Sequence, residues 1–138
     1  MIDANVLRLS DRNFSVQMMT SYIQVYTITY GRSTVSSPQN TPTPDKVVNQ
    51  ILDHLPADVW TDGKTFIDPE CGTGQFLTAV AERKTILGHA NALESIYGTD
   101  ISPKRINECR ANLLAICGDT VENRATVNNN IRCESIFQ

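Results

Sequence analysis

The chain has 138 residues, a formal net charge of −3 and a hydrophobic fraction of 41%. These values are typical of one globular domain of common size and exclude a strongly basic surface that would bind nucleic acid without help. No stretch approaches the ~18 consecutive apolar residues of a membrane-spanning helix, and the N-terminus lacks the apolar core of a secretory signal.

The cysteines do not form a metal-binding pattern. Cys71, Cys109, Cys117 and Cys133 include no CxxC pair and have no histidine at ligand spacing. Such a pattern argues against a zinc site and is typical of reduced, mostly buried thiols. We therefore expect a cytoplasmic protein with no membrane association and no bound metal.

The N-terminal part has an ambiguous pattern. Between residues 11 and 30, apolar residues combine helical spacing with the β-branched and aromatic content of a strand. We predict a helix from Asp11 to Gln24 that packs on the domain. Residues 31–44 are rich in Ser, Thr and Pro, which predicts an extended connection lying over a ligand site. We accordingly divide the chain into an N-terminal helical or extended segment, 1–37, and a ligand-binding domain, 38–138.

From residue 45 onward, helical and extended patterns alternate. Helices are expected at 45–55, 75–87 and 103–117, strands at 64–67, 95–100 and 130–133, one helical turn at 91–94, and a loop at 119–129. This order is the pattern of parallel crossover units. The predicted fold class is therefore α/β, with a Rossmann-like parallel sheet and flanking helices.

A glycine turn, Asp68-Pro-Glu-Cys-Gly-Thr-Gly74, joins the first of these strands to the next helix. Gly72 and Gly74 permit a tight turn and a close approach to a ligand, because neither has a Cβ. The free N–H groups at the start of the helix near Gln75 would face that ligand. Asp68 would repel a phosphate but suits a positive group such as an amino-acid ammonium. The turn therefore favours S-adenosylmethionine.

Three more residues lie at expected strand ends, where ligands of open parallel sheets bind. Asp100 can accept both hydroxyls of a ribose, Ile101 offers an apolar face to adenine, and Glu134 can accept from the adenine amino group. A nicotinamide dinucleotide site is the rival interpretation, but Leu77 occupies its usual third glycine position. A phosphate loop of the G-x-x-x-x-G-K type is absent from the sequence.

The segment Asp68–Phe76 closely resembles the D-P-x-x-G-x-G-x-F cofactor motif of class I S-adenosylmethionine-dependent methyltransferases, and of the N6-adenine DNA methyltransferases in particular. Residues 98–101 resemble the second motif of that family and residues 130–135 the third, in which Glu134 stands where the family usually has Asp. Asn40-Thr41-Pro42 resembles the T-P segment upstream of the cofactor motif. The resemblance covers residues 38–138, the cofactor-binding half of the family's fold.

This resemblance implies S-adenosylmethionine as the cofactor and a site made of Thr41, Pro42, Asp68, Gly72, Gly74, Asp100, Ile101 and Glu134. Asp68 would meet the methionine ammonium, and the two glycines would make room for the cofactor. Asp100 would hold the ribose. Thr41 and Pro42 would contact the methionine end.

The catalytic motif of the family, N/D-P-P-F/Y, is absent from this sequence, whose prolines are at 38, 42, 44, 56, 69 and 103. In the family this motif binds the target amino group and stacks the flipped base. Three hypotheses remain. The first is the cofactor-binding half of a DNA adenine methyltransferase that is truncated, split between chains or completed by a partner, and that reaches DNA through a second chain or the missing half. The others are a non-catalytic S-adenosylmethionine-binding or interaction protein and a small methyltransferase with a divergent substrate. The catalytic residues are unknown.

The missing half also has a structural consequence. In the family's sheet the first strand is central, with the second strand on one side and the fourth on the other. Without a fourth strand, the edge of the strand at 64–67 would be unpaired, and unpaired edges recruit other strands. We predict homodimerisation, coverage by the N-terminal segment, or a partner chain at this edge.

Overall fold

The computed structural model describes Phe14 and residues 16–19, 24–27 and 45–135. The strands are β1 (Val16–Met19), β2 (Gln24–Thr27), β3 (Phe66–Asp68), β4 (Ile96–Asp100) and β5 (Ile131–Cys133). The helices are α1 (Asp45–Asp53), α2 (Gln75–Ile86), α3 (Pro103–Cys117) and α4 (Val121–Asn130), and short 3-10 turns lie at Ala57–Trp60 and Ala92–Ser95. Every helix and strand predicted between residues 45 and 133 is confirmed to within a few residues.

The strands form one sheet in the order β2-β1-β3-β4-β5. Strand β3 runs parallel to β1 and β4, and β4 runs parallel to β5, whereas β2 is antiparallel to β1. Asp68 pairs with Gly98, and Asp100 pairs with Cys133. The parallel strands therefore end at one edge of the sheet, as the predicted Rossmann-like α/β class requires.

The helix predicted from Asp11 to Gln24 is wrong where the structure describes this segment. Residues 16–19 form a strand, and Gln24 begins another that pairs back on it. Asp11, the predicted cap, lies outside the described residues. The β-branched and aromatic content predicted the secondary structure better than the helical spacing did. Pairing with an available sheet edge stabilises extended backbone by more than the weak helix propensity stabilises a helix.

The edge of β3 is therefore not free. Val16 pairs with Phe66 and Gln17 pairs with Ile67, so the N-terminal segment supplies a parallel strand on the side away from β4. Of the three alternatives for this edge, coverage by the N-terminal segment is the one the structure has. Homodimerisation and binding of a partner chain remain predictions.

The loop predicted at 119–129 is also wrong, because helix α4 occupies most of it. The hydroxyl of Thr120 caps this helix by accepting from the N–H of Asn123 (3.0 Å). At the other end, the buried side chain of Asn130 donates to the carbonyl of Leu93 (3.1 Å). The asparagine-rich sequence has low helix propensity, so these tertiary contacts and the burial of Val127 stabilise the helix.

The core lies mainly on one face of the sheet. Buried residues from all four helices pack there against Phe66 and Ile96: Val48, Ile51, Leu52, Phe76, Leu77, Val80, Ala81, Ile106, Cys109, Leu113 and Val127. Ile67 and Tyr97 point to the other face, where Phe14 meets Tyr97 edge-on with ring centroids 5.2 Å apart. Among the helices that the structure describes, none has both the length and the apolar character needed to cross a membrane.

A fully buried lysine lies in this core, away from the carboxyl edge of the sheet. The Nζ atom of Lys84 donates to the carbonyl of Lys64 (2.9 Å) and lies 5.0 Å from the centroid of the Phe66 ring. Burial lowers the pKa of Lys84, and the charge of Asp62 opposes this shift only in part. The charged form is therefore less favourable in the folded protein than in the unfolded chain.

We expect the stability of the wild type, relative to a Lys84→Met variant, to rise with pH. Between the lowered pKa and the ordinary lysine value of 10.5, the unfolded chain binds more protons than the folded protein. The difference in the free energy of unfolding between the wild type and Lys84→Met therefore rises across this pH window. Below and above the window the difference is constant. Urea unfolding in a reducing buffer from neutral pH to 10.5 measures the difference. The exposed Lys104→Met variant should keep the wild-type slope, and a pH-independent Lys84 difference would contradict the prediction.

Candidate cofactor-binding site

The glycine turn is held against strand β4 by two short hydrogen bonds and is closed by a third within the turn. The N–H of Cys71 donates to the carbonyl of Thr99 (2.9 Å), and the Thr99 hydroxyl donates to the carbonyl of Pro69 (2.7 Å). Within the turn, the N–H of Gly74 donates to the carbonyl of Cys71 (2.9 Å). The Thr99 side chain is fully buried, so this part of the turn is a fixed component of the sheet edge.

The two glycines of the turn have different surroundings. Both have positive φ, 57° at Gly72 and 94° at Gly74. A Cβ at Gly72 would have no atom within 4 Å, whereas a Cβ at Gly74 would lie 2.8 Å from the Sγ of Cys109. Gly72 therefore leaves open space beside the turn, and Gly74 lets helix α3 approach it closely.

Asp100 connects the glycine turn to the start of α3. One carboxylate oxygen, Oδ2, accepts from the N–H of Gly72 (3.1 Å). The other, Oδ1, accepts from the N–H of Ser102 (2.9 Å) and from Nε of Arg105 (3.1 Å), and Nη2 of Arg105 lies 2.9 Å away in the same ion pair. Hydrogen bonding to Asp100 raises the pKa of Arg105, so the guanidinium stays charged. The carboxylate that ends β4 thus lies directly beside the turn that follows β3.

Asp68 lies at the end of β3 and is completely buried. Its Oδ1 accepts from the N–H of Glu70 (3.1 Å), which shapes the first residues of the turn. The pKa of the buried Cys71 is raised, first by its hydrogen bond with Cys109 and by burial, and further by the charges of Asp68 and Asp100. Both carboxylates are therefore close to the turn, and Cys71 is a neutral thiol beneath it.

The remaining predicted residues differ in how the structure places them. Ile101 directly follows Asp100, and its side chain is 72% exposed. Glu134 follows β5, is partly exposed, and donates its N–H to the carbonyl of Arg132 (3.0 Å). Thr41 and Pro42 lie outside the described residues. The structure thus brings Asp68, the turn, Asp100, Ile101 and Glu134 to one edge.

Sequence reasoning missed four residues that build this edge: Gly98, Thr99, Arg105 and Cys109. A Cβ at Gly98 would lie 2.7 Å from Cδ1 of Leu77, so this glycine lets α2 pack against β4. Thr99 and Cys109 contact the turn from β4 and α3. Gly98 and Thr99 had a sequence signal in the stretch 98–101 that resembles the second motif, and Arg105 had one because it lies one helical turn after the Ser102 cap that follows Asp100.

Together, a parallel sheet and a glycine turn flanked by carboxylates at its carboxyl edge define an α/β protein of the methyltransferase-like class. Residues 29–131, well over half of the chain, match the model of the N-6 DNA methylase family. The chain therefore belongs to this family, whose members generally use S-adenosylmethionine. Among curated proteins and among solved structures, no match to the chain was found.

Proposed function

We propose that the chain binds S-adenosylmethionine at the carboxyl edge of β3 and β4, as the cofactor-binding part of a DNA adenine-N6 methyltransferase. The observation that supports this most directly is the 3.1 Å bond from the Gly72 N–H to Oδ2 of Asp100. It joins the open side of the glycine turn to an acceptor suited to ribose hydroxyls. Two parts of a nucleoside site therefore meet at one point.

The chemistry around this point fits the cofactor from one end to the other. The negative charge of Asp68 favours the methionine ammonium, although its complete burial means that the groups covering it must move for contact. Asp100 accepts from the ribose, and the exposed Ile101 covers one face of the adenine. Bound cofactor would supply an electrophilic methyl group. The residues of this chain would hold and orient it.

Transfer of that methyl group to adenine needs a site for the amino group, and we propose that a segment outside these 138 residues, in the same or a second polypeptide, supplies it. The sequence contains no N/D-P-P-F/Y motif. Because β1 already pairs with β3, such a segment would meet the β1–β2 hairpin rather than a bare β3 edge. The net charge of −3 favours DNA binding through that segment as well.

A second candidate function is S-adenosylmethionine binding without catalysis. The same absence of a catalytic motif favours it, and the cofactor edge would then act as a sensor or interaction site. A tritium methyl-transfer assay on adenine-containing DNA separates the two. Transfer that requires the added segment supports the methyltransferase, whereas cofactor binding with no transfer in the presence of that segment supports the binding protein.

We expect calorimetric titration to show saturable binding of S-adenosylmethionine by the wild type and weaker binding by Gly72→Ala. The added methyl group projects into the open space beside the turn, so affinity should fall at least about tenfold, or ~1.4 kcal/mol.

Gly63→Ala is the matched control for this comparison. Its φ of 88° is also positive and its Cβ would also meet no atom within 4 Å. It should therefore carry the same backbone strain and bind like the wild type. Absence of binding by the wild type would exclude the proposal, and equal effects of the two alanines would exclude a ligand beside Gly72.

A further inference from the structure

The two carboxylate oxygens of Asp100 accept different numbers of hydrogen bonds. Oδ1 receives two N–H donors, from Ser102 (2.9 Å) and from Nε of Arg105 (3.1 Å), and Nη2 of Arg105 lies 2.9 Å from it as an ion-pair contact. Since a carboxylate oxygen has two lone-pair directions, the acceptor capacity of Oδ1 is filled. Oδ2 receives the N–H of Gly72. A ribose diol that uses both oxygens therefore meets one oxygen that is already saturated.

Arg105 is not needed to orient this carboxylate. The backbone N–H groups of Gly72 and Ser102 hold one oxygen each, and both belong to fixed parts of the fold. Asp100 is 8% exposed, whereas the Arg105 side chain is 46% exposed. The guanidinium can therefore turn into water, and the two backbone N–H groups still hold the nearly buried carboxylate.

We propose that Arg105 is a specificity-determining residue that occupies Oδ1 of Asp100 in the free protein and is displaced by the diol of a bound ribose. This inference rests on the proposed binding of a nucleoside cofactor at Asp100. Arg105 therefore lowers the affinity for ligands that donate a hydrogen bond to Oδ1. It does not change the affinity for ligands that make no such bond. Arg105 thus determines how much more tightly the site binds a ligand with the ribose diol than a ligand without it.

The test uses S-adenosylhomocysteine, which lacks the sulfonium charge, so that loss of a positive side chain does not itself attract the ligand. This ligand and its 2′,3′-dideoxy analogue are titrated into the wild type, Arg105→Ala and Arg124→Ala. Arg124 pairs with exposed Asp119 away from the carboxyl edge, and its loss changes the net charge equally. Thermal melting confirms that each variant is folded, and Arg105→Gln replaces Arg105→Ala should the latter fail to fold.

We expect Arg105→Ala to bind S-adenosylhomocysteine about two- to fivefold more tightly than the wild type, because the diol no longer has to displace a half-exposed guanidinium. The dideoxy analogue should show no gain, and failure of both proteins to bind it counts as no gain. Arg124→Ala should match the wild type with both ligands.

Unchanged or weaker binding of S-adenosylhomocysteine by Arg105→Ala overturns the inference. So does an equal gain for the dideoxy analogue, because Arg105 would then act without reference to the diol. If the wild type and all variants bind neither S-adenosylhomocysteine nor S-adenosylmethionine, the proposed function itself fails, and the inference with it.

Discussion

The Gly74→Ala variant is expected to lose about 2–5 kcal/mol of stability, the sum of left-handed backbone strain and overpacking. Gly74 has a φ of 94° and immediately precedes helix α2. A methyl group there would lie 2.8 Å from Sγ of Cys109, a fully buried residue on α3. Relief of this contact requires α3 to move away from the turn, which also disturbs Asp100. Urea unfolding measures the loss.

Two further variants separate the causes of this loss. Gly88→Ala has a φ of 84° with no atom within 4 Å of the new Cβ, so it should lose only the strain, about 1–2 kcal/mol. In Gly74→Ala/Cys109→Ala the clashing sulfur is gone, so the double variant should be more stable than the two single losses predict. Additive losses would show that contact with α3 is not what requires a glycine at this position.

The Asp100→Asn variant is expected to lose about 1–3 kcal/mol of stability and to bind S-adenosylmethionine about ten- to a hundredfold more weakly. An asparagine keeps the shape but turns one acceptor oxygen into an N–H₂ group. Whichever way it points, this group faces either the N–H of Gly72 or the donors of Ser102 and Arg105. One nearly buried donor therefore loses its acceptor, and the ribose loses an ionised partner.

Asp119→Asn provides the matched control, because it makes the same chemical change in an ion pair whose carboxylate is 53% exposed. Arg124 lowers the pKa of Asp119, but water replaces the partner there, so the melting temperature should hardly change. The two variants are compared by thermal melting and by calorimetric titration. Equal behaviour of Asp100→Asn and the wild type in both measurements would remove Asp100 from the structural and binding roles assigned to it.

Local signals predicted the strand, turn and helix around Asp68–Gln75, because glycines, a carboxylate and apolar periodicity act there over a few residues. The same holds for Asp100 and the Ser102 cap, whose hydroxyl accepts from the N–H of Arg105. The contacts that join these parts were not predictable. The bond between Gly72 and Asp100 spans 28 positions, and no local pattern encodes a partner at that distance.

Two elements show where local pattern fails. The chain at 16–19 and 24–27 is extended because β3 presents an edge that a strand can pair with, and the helical spacing of its apolar residues could not reveal this edge. Helix α4 forms in a sequence of low helix propensity, because Val127 and Asn130 are buried against the domain. In both, tertiary contacts outweigh propensities worth less than about 1 kcal/mol per residue.

The sequence by itself determined the α/β class, the glycine turn and the carboxylate that ends β4, because each depends on backbone preferences and residue chemistry within one short stretch. Only the tertiary structure decided that the N-terminal segment pairs with β3, that Gly74 makes room for Cys109 of α3, and that Arg105 occupies Asp100. The physical reason is that these last features are contacts between distant stretches. Their geometry exists only once the sheet and its helices have packed together.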